Sequence, residues 1–245
     1  MKTSATEQVF ACRLCGYTSM IPAENLAFEM GNMPSGNHRL LSEGELEFDD
    51  PIDLKVFCCQ SCGFVSVPME LAENYYEGYV NVPSTSVQSQ EFQLEQATEF
   101  VRRFGLQGSK VLEVGCGDGY FLKSLVDLGV NGYGVEPSSV QRGHAEARDL
   151  NVEGGILAER RILSNAPFDA FVTRQVFEHV EDMRDFLLTI RLNLRIGGVG
   201  LIEVPNLSIL AQQERFFDFI PEHVNYFTPN TLGLALQFSG FSVLD

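Results

Sequence analysis

Two short stretches near the start of the 245-residue chain repeat one spacing of cysteines. The first, "CRLCG", contains Cys12 and Cys15, and the second, "CQSCG", contains Cys59 and Cys62. A turn of this kind places two thiolates on one side of a tight loop. Two such turns together supply the four sulfurs that Zn²⁺ accepts in a tetrahedron. The spacing therefore predicts a structural zinc site, with all four coordination positions filled by protein.

The two remaining cysteines are left out of this predicted site. Cys58 is out of register with the C-x2-C-G pattern, and Cys116 stands in a glycine-rich stretch much further along the chain. A pair of redox C-x-x-C motifs, or chance clustering, is the alternative that the spacing leaves open. We expect a cytoplasmic location, because neither a secretory signal nor an apolar run of membrane-spanning length is visible. In that reducing compartment metal ligands are favoured over disulfides.

A second pattern with chemical potential is the stretch "LEVGCGDGYF". Gly115, Gly117 and Gly119 fall where an apolar strand is expected to turn into a helix, so a ligand can approach the backbone and the N–H groups of the helix N-terminus. Glu136 ends the next expected strand, where a carboxylate can accept hydrogen bonds from a ribose diol. Glu113 adds an acidic residue before the glycines. The pattern predicts a cofactor that contains a nucleoside, and a tight turn without a ligand is the alternative.

The elements that must position these residues follow an alternating pattern. Strands are predicted at "KVLEVG", "NGYGVEP", "FDAFVTRQVF", "VGLIEVPN" and "FSVLD". Helices are predicted at "GYFLKSLVDLG", "SSVQRGHAEARDL", "EDMRDFLLTIRLNLRIGG" and "TPNTLGLALQFSG". Strands separated by helices of this length predict an α/β fold in which a parallel sheet carries helices on both faces.

The sequence divides into three predicted parts. Residues 1–70 form a small zinc-binding module, in which the stretch from Ser19 to Lys55 shows little period and is expected to bury little apolar surface without the metal. Residues 71–105 form a linker with clustered tyrosines, followed by a helix. Residues 106–245 form the main domain.

The charge balance disfavours one class of partner. The chain has 33 acidic and 17 basic residues and a formal net charge of −16. Nucleic-acid binding draws its affinity from lysine and arginine that neutralise phosphates. The excess of negative charge therefore opposes nucleic-acid binding. The sequence therefore predicts neither nucleic acid nor membrane as a partner. It leaves the oligomeric state open.

The segments "LEVGCGDG", "VEPS" and "FDAFVTRQVFEHVED" together resemble class I S-adenosylmethionine-dependent methyltransferases over about residues 85–245. The resemblance implies the Rossmann-like class I methyltransferase fold and S-adenosylmethionine as the cofactor. In the resembled fold a seventh strand follows the sixth and finishes the sheet, whereas "GFSVLD" supplies at most the sixth, so we expect the domain of residues 106–245 to be incomplete at its C-terminus. It also implies that the three glycines border the methionine end of the cofactor, that Glu136 holds its ribose and that Gln175 lies beside its sulfonium.

The layout as a whole is similar to the zinc-containing C-methyltransferases that act on nucleotide-linked keto-deoxysugars, and this resemblance implies a small-molecule substrate. That family carries a Glu-His pair after the fifth strand, a second histidine and a linker tyrosine, which match Glu222, His223, His179 and Tyr79. The chain departs from the family at Ile220, where an aromatic residue is common, and in having no further Rossmann-type domain within its 245 residues.

This resemblance leads to assigned roles at the site. Carbon methylation requires removal of a proton next to a ketone, which an imidazole can accept near neutral pH. We interpret His223 as the base, Glu222 as its orienting partner, and His179 as a polarising group or second base. Tyr79 is assigned to the substrate, although clustered tyrosines at a boundary commonly only pack it. The two histidines could instead be hydrogen-bonded structural residues.

Other functions are compatible with parts of the pattern. The acceptor could be another small molecule or sugar, methylated on oxygen or nitrogen, because the cofactor motifs carry almost no information about the acceptor. An RNA-base methyltransferase with a zinc module is disfavoured by the deficit of basic residues. A non-catalytic binding module is disfavoured by the intact glycine stretch together with Glu136.

Overall fold

The computed structural model describes residues 9–20, 22–34, 43–44, 50–69 and 86–245. Within these ranges, no helix combines the length and the apolar character needed to cross a membrane. Tyr79 and most of the predicted linker lie outside the described residues.

The chain forms two compact units. The sheet unit consists of Ala72–Phe177 and Asp185–Val204. The cysteine unit consists of Met1–Leu71, Glu178–Arg184 and Pro205–Asp245. Both units are therefore discontinuous in sequence, and the cysteine unit includes residues from the last third of the chain.

The described residues contain strands of 2 to 10 residues, numbered β1 to β11 in chain order, with these bounds: Phe10–Ala11, Thr18–Ser19, Leu26–Met33, Ile52–Cys58, Val65–Ser66, Lys110–Val114, Asn131–Glu136, Asn151–Gly154, Phe168–Arg174, Leu194–Glu203 and Asn225–Tyr226. The α-helices, numbered α1 to α6, have these bounds: Val87–Phe104, Tyr120–Asp127, Ser139–Glu146, Met183–Asn193, Leu207–Gln212 and Pro229–Phe238. Short 3-10 helices cover Pro22–Glu24, Phe177–His179 and Phe216–Asp218.

The sheet unit confirms the predicted parallel sheet flanked by helices. Its five strands run in the order β10-β9-β6-β7-β8, and every neighbouring pair is parallel. One core cluster joins α1 and α2 to β6 and β9, and its fully buried members are Ala97, Val111, Leu125, Ala170 and Val172. The sequence analysis missed β8 because its four residues, "NVEG", contain only one apolar side chain.

Two predicted boundaries near the end of the sheet are wrong. Helix α4 ends at Asn193, and β10 begins at Leu194, before the two glycines that were expected to stop the helix. Leu194 pairs with Phe168, and the register shifts before pairing resumes at Val199, so the glycines lie in an irregular part of a strand. Residues 241–245, expected to begin another strand, have no strand conformation.

The cysteine unit corrects the expectation for the stretch between the cysteine pairs. Strands β3 and β4, which come from this stretch, are antiparallel neighbours in a four-stranded sheet of order β11-β5-β4-β3. Leu54 and Val56 of β4 are fully buried, in a core with Val67, Phe219 and Tyr226. The sequence does contain a signal for β4, because the alternation of apolar and polar residues in "IDLKVF" is typical of a half-buried strand.

Long-range pairing makes the cysteine unit discontinuous. Asn225 and Tyr226 of β11 pair with Ser66 and Val65 of β5, which directly follows the second cysteine pair. The segment that carries Glu222 and His223 is thus part of the same unit as the cysteines.

Candidate functional site

The glycine stretch lies between β6 and α2, with each of its three glycines at positive φ. A Cβ on Gly115 would come within 2.4 Å of Val176, and one on Gly119 within 2.5 Å of Leu150, so packing within the protein already requires glycine there. A Cβ on Gly117 would meet no atom within 4 Å. Gly117 therefore faces open space, and it is the glycine at which the backbone offers room for a ligand.

Glu136 ends β7 and is held by the backbone on both oxygens. Gly117 N–H donates to its Oε2 at 2.9 Å, and Ser138 N–H donates to its Oε1 at 2.9 Å. Burial raises the pKa of Glu136, and these two hydrogen bonds oppose the rise because they favour the charged form. Each oxygen keeps a lone pair, so the carboxylate can still accept the two hydroxyls of a ribose.

Glu113 lies on β6 and is 3% exposed. Burial raises the pKa of its carboxyl to about 8, and the charge of Arg174 offsets part of the rise. Its Oε2 is buried and has no hydrogen-bond partner in the part of the chain that the structure describes. A buried oxygen without a partner is costly, and a donor group on a ligand would offset that cost.

Gln175 follows β9 with φ of 53°, an uncommon conformation for a residue other than glycine. Its backbone N–H donates to the carbonyl oxygen of Glu203 at 2.8 Å, and its side-chain Nε2 donates to Glu203 Oε1 at 3.0 Å. Arg174 pairs with the same carboxylate at 3.3 Å, and Gln96 of α1 donates to it at 2.6 Å. We call Gln96, Arg174, Gln175 and Glu203 the Glu203 network.

The cysteine unit brings together Cys12, Cys15, Cys59 and Cys62, as predicted. Their sulfurs all lie within 4.8 Å of one another, and the pairs Cys12–Cys62 and Cys15–Cys59 are both separated by 3.7 Å. A zinc–sulfur bond of about 2.3 Å corresponds to about 3.8 Å between sulfurs of a tetrahedron. The four thiols therefore fit a zinc ion, and Cys58 is not among them.

The two cysteine turns have matching backbone geometry. Gly16 N–H donates to the Cys12 carbonyl at 3.0 Å, and Gly63 N–H donates to the Cys59 carbonyl at 2.8 Å. The glycines have φ of 74° and 72°, which favours glycine at both positions. The repeated sequence thus produces a repeated turn that directs two sulfurs to one point.

His179 and His223 also lie together in the cysteine unit. Their ring centroids are 4.8 Å apart, with an angle of 72° between the ring planes. A donor atom of Glu178 lies within 4.8 Å of a ring nitrogen of each. His179, Glu178 and Glu222 are all buried. Two imidazoles next to buried carboxylates can accept and hold a proton, and the donor types of Glu178, His179 and His223 also suit a divalent transition metal.

Tyr226 fixes the turn that carries Glu222 and His223. Its hydroxyl accepts a hydrogen bond from Ile220 N–H at 2.9 Å and lies 3.2 Å from the Ile220 carbonyl oxygen, to which it donates. His223 N–H donates to that same carbonyl at 3.2 Å. Burial, followed by the charges of nearby carboxylates that include Glu222, raises the pKa of Tyr226, so the hydroxyl stays protonated and able to donate.

Two groups of residues at these sites were not found from the sequence. The sequence patterns assign no role to Glu178, adjacent to His179, although a glutamate within the apolar stretch "VFEHV" indicates a buried carboxylate. Gln96 and Glu203 were not found either, because they meet only through the packing of α1 next to the end of β10. Tyr79, predicted to contact the substrate, lies outside the described residues.

Comparison with known proteins agrees with the fold of the sheet unit. A family model described as a methyltransferase domain matches residues 89–245, which is more than half of the chain. A solved structure of an S-adenosylmethionine-dependent methyltransferase from Archaeoglobus fulgidus superimposes with a TM-score of 0.53 at 24% identity, covering 62% of this chain and 68% of that one. At this level of identity the likeness establishes the fold.

Curated relatives extend the comparison. The C-methyltransferase NovU of Streptomyces niveus is 24% identical over 240 residues, which cover 96% of this chain and 56% of that protein. A ubiquinone biosynthesis O-methyltransferase of Rhizobium etli is 26% identical over 155 residues, covering 57% of this chain and 62% of that protein. The chain spans little more than half the length of these relatives. By its family match and its fold, the chain belongs to the methyltransferase domain family.

Proposed function

We propose that the protein transfers a methyl group from S-adenosylmethionine to a small molecule, and that the acceptor is a carbon atom of a nucleotide-linked keto-deoxysugar. The observation that carries the carbon assignment is the pair of adjacent imidazoles, His179 and His223, beside buried carboxylates. Methylation of an enolisable carbon requires a base, whereas the methyl donor itself needs only alignment and exclusion of water.

S-adenosylmethionine, when bound, supplies a methyl group that is already activated by its sulfonium. Glu136 would hold the ribose, because both of its oxygens are oriented by backbone N–H groups and can still accept hydrogen bonds. Gly117 would border the methionine end, because an added Cβ there would meet no atom within 4 Å. Gln175 is assigned to the reacting end, and Glu113, near the end of β6, has a buried oxygen without a hydrogen-bond partner among the described residues.

His223 is the proposed base. It removes the proton from the carbon next to the ketone. The electron pair of that C–H bond forms a carbon–carbon double bond while the π pair of the C=O bond moves onto oxygen, which gives an enolate whose carbon is the methyl acceptor. Glu222, its neighbour, is the proposed orienting carboxylate, and His179 the second base or polarising group. Tyr79 is proposed to contact the substrate on the strength of the family resemblance.

A structural zinc ion is proposed for the four clustered cysteines. When bound, it would tie the two cysteine turns together and contribute to the folding of the unit. NovU, named as a C-methyltransferase, aligns over nearly the whole chain, whereas the family match begins only at residue 89. The alignment with this C-methyltransferase thus extends over the residues of the cysteine unit, which supports the same reaction class for this protein.

The proposal is tested with purified protein, S-adenosylmethionine and a nucleotide-linked keto-deoxysugar in deuterium oxide, followed by NMR. Without cofactor, we expect the proton next to the ketone to exchange with solvent. With cofactor, we expect a new methyl group bound to carbon. Absence of both with this acceptor, in protein that binds the cofactor, would contradict the carbon assignment. Absence of cofactor binding would contradict the reaction class.

Methylation of oxygen or nitrogen on another small molecule or sugar is the second candidate. The observation that favours it is the similarity to a ubiquinone biosynthesis O-methyltransferase over 57% of this chain. A panel of phenolic and amine acceptors, assayed with labelled cofactor, separates the two. Filter binding with structured RNA tests the RNA-base alternative, which the net charge of −16 opposes.

A further inference from the structure

We propose that Gln96 recognises the ammonium group at the amino-acid end of the cofactor, and that Glu203 holds the Gln96 amide in the orientation this requires. The inference rests on S-adenosylmethionine as the proposed cofactor. It is independent of the methyl acceptor and of the roles of the histidines. It assigns a ligand contact to α1, a helix that the sequence motifs leave without a function.

Glu203 determines which way the Gln96 amide faces. A carboxylate only accepts hydrogen bonds, so the amide nitrogen must be the atom that lies 2.6 Å from Glu203 Oε2. The carbonyl oxygen, Oε1, is then directed away from Glu203. It is buried and has no hydrogen-bond partner among the described residues. A buried acceptor without a partner lowers stability unless a ligand supplies a donor.

The Glu203 network adjoins the glycine stretch. The guanidinium of Arg174 lies 4.5 Å from the ring centroid of Phe121, which is two residues after Gly119. Gln175 follows β9 and Glu203 ends β10, so the network occupies the carboxyl ends of parallel strands, as Gly115 does after β6. In open α/β sheets ligands bind at this edge.

The strand order gives the direction of the ligand. Glu136, proposed to hold the ribose, ends β7, and the order from that point is β7-β6-β9-β10. A cofactor whose ribose lies at β7 and whose methionine end passes the glycines after β6 continues toward β9 and β10. Its amino-acid end then approaches the Glu203 network. The ammonium is the charged donor of that end, and Gln96 Oε1 is an acceptor in need of a donor.

The test compares two ligands that differ in the amino-acid end. S-adenosylhomocysteine carries the ammonium, and 5′-methylthioadenosine keeps the nucleoside and sulfur but lacks it. Calorimetric titration of Gln96→Leu should show affinity for S-adenosylhomocysteine reduced about tenfold or more, as expected for a hydrogen bond to a charged group. Affinity for 5′-methylthioadenosine should not change. Glu203→Gln should show the same selective loss, because it no longer orients the amide.

Gln93→Leu is the matched control. Gln93 is buried on the same helix, and its amide lies 3.2 Å from the Ser89 hydroxyl, one turn earlier. This variant should bind both ligands like wild type. Equal losses for both ligands in Gln96→Leu would mean a structural role, and no loss for either would remove Gln96 from the site; both results overturn the proposal. Wild-type protein that binds neither ligand would overturn the cofactor assignment itself.

Discussion

Nδ1 of His179 lies 2.8 Å from the backbone carbonyl oxygen of Glu222. A carbonyl only accepts, so Nδ1 carries the hydrogen, and a neutral His179 presents a lone pair at Nε2. Neutral His179 can therefore act as a base, whereas polarising a ketone by hydrogen bonding would require the imidazolium. The contact also ties His179 to the turn that carries His223.

Replacement of His179 by asparagine separates these two contributions. The asparagine amide can reproduce the Nδ1–H donor to Glu222, but it has nothing at the position of Nε2. We expect His179→Asn to keep the thermal stability of wild type and to lose at least about a hundredfold in proton exchange of the acceptor, in the range typical of acid–base groups. NMR exchange rates and calorimetry measure both. His144→Asn, at an exposed position of α3, is the control, and a His179→Asn variant with full activity would show a structural role only.

The four-cysteine cluster predicts one zinc ion per chain. Cys59→Ser should lose the zinc and destabilise the cysteine unit by several kcal/mol, because metal binding contributes folding free energy in small modules. Cys58→Ser is the matched control, since Cys58 is the sequence neighbour of Cys59 and lies outside the cluster. Elemental analysis and thermal unfolding, with and without a chelator, measure the effect. Equal zinc content in the two variants would contradict the ligand assignment.

Gly117 and Gly108 allow a paired test of the cofactor loop. Both have positive φ, and at both an added Cβ would meet no atom within 4 Å. Gly117 follows β6 and Gly108 precedes it, so they lie at opposite ends of one strand. Alanine should cost both variants a similar backbone strain of about 1 kcal/mol. We expect Gly117→Ala to weaken S-adenosylmethionine binding, Gly117→Val to abolish it, and Gly108→Ala to leave it intact in calorimetric titrations.

The proposed ribose contact of Glu136 should contribute to cofactor affinity. Glu136→Ala should weaken S-adenosylmethionine binding by roughly 1.5–3 kcal/mol, the range for hydrogen bonds to charged groups. The variant also frees the N–H groups of Gly117 and Ser138, so adenine binding alone should be measured in parallel. A loss that is the same for adenine and for the whole cofactor would contradict a ribose contact.

Local periodicity made the fold of the sheet unit predictable. The apolar runs before Gly115 and Glu136 correspond to β6 and β7, and Cys59, which the cysteine spacing favours over Cys58, lies in the four-cysteine cluster. These features depend on neighbouring residues, whose effect on the backbone is visible in a single sequence.

Features that depend on long-range pairing were not predictable in the same way. Strand β11 has two residues, and its partner β5 precedes it by about 160 positions, so no local signal joins them. The contact of Gln96 with Glu203 is of the same kind, since it spans 107 positions. The polar network at the sheet edge is therefore visible only in the structure, whereas the glycine stretch beside it is visible in the sequence.

Glu113 should make stability depend on pH in an unusual direction. Burial raises the pKa of this carboxyl from 4.5 to about 8 in the folded chain. Between these values the folded state binds more protons than the unfolded state, so stability falls as pH rises. The loss of stability caused by ionising this buried carboxyl is complete above the pKa of the folded state. It is absent below the pKa of the unfolded state. A single proton contributes at most about 1.4 kcal/mol per pH unit to this slope.

Glu113→Gln should remove this contribution, because the amide resembles the protonated acid and does not ionise. We expect the stability of wild type relative to the variant to fall between pH 5.5 and pH 8. Urea unfolding followed by far-UV circular dichroism suits a chain that has no tryptophan. Glu95→Gln, at an exposed position of α1, should leave the slope of wild type unchanged. Parallel stability curves for wild type and Glu113→Gln would show that the Glu113 carboxylate is already ionised at its buried position and is stabilised there by Arg174.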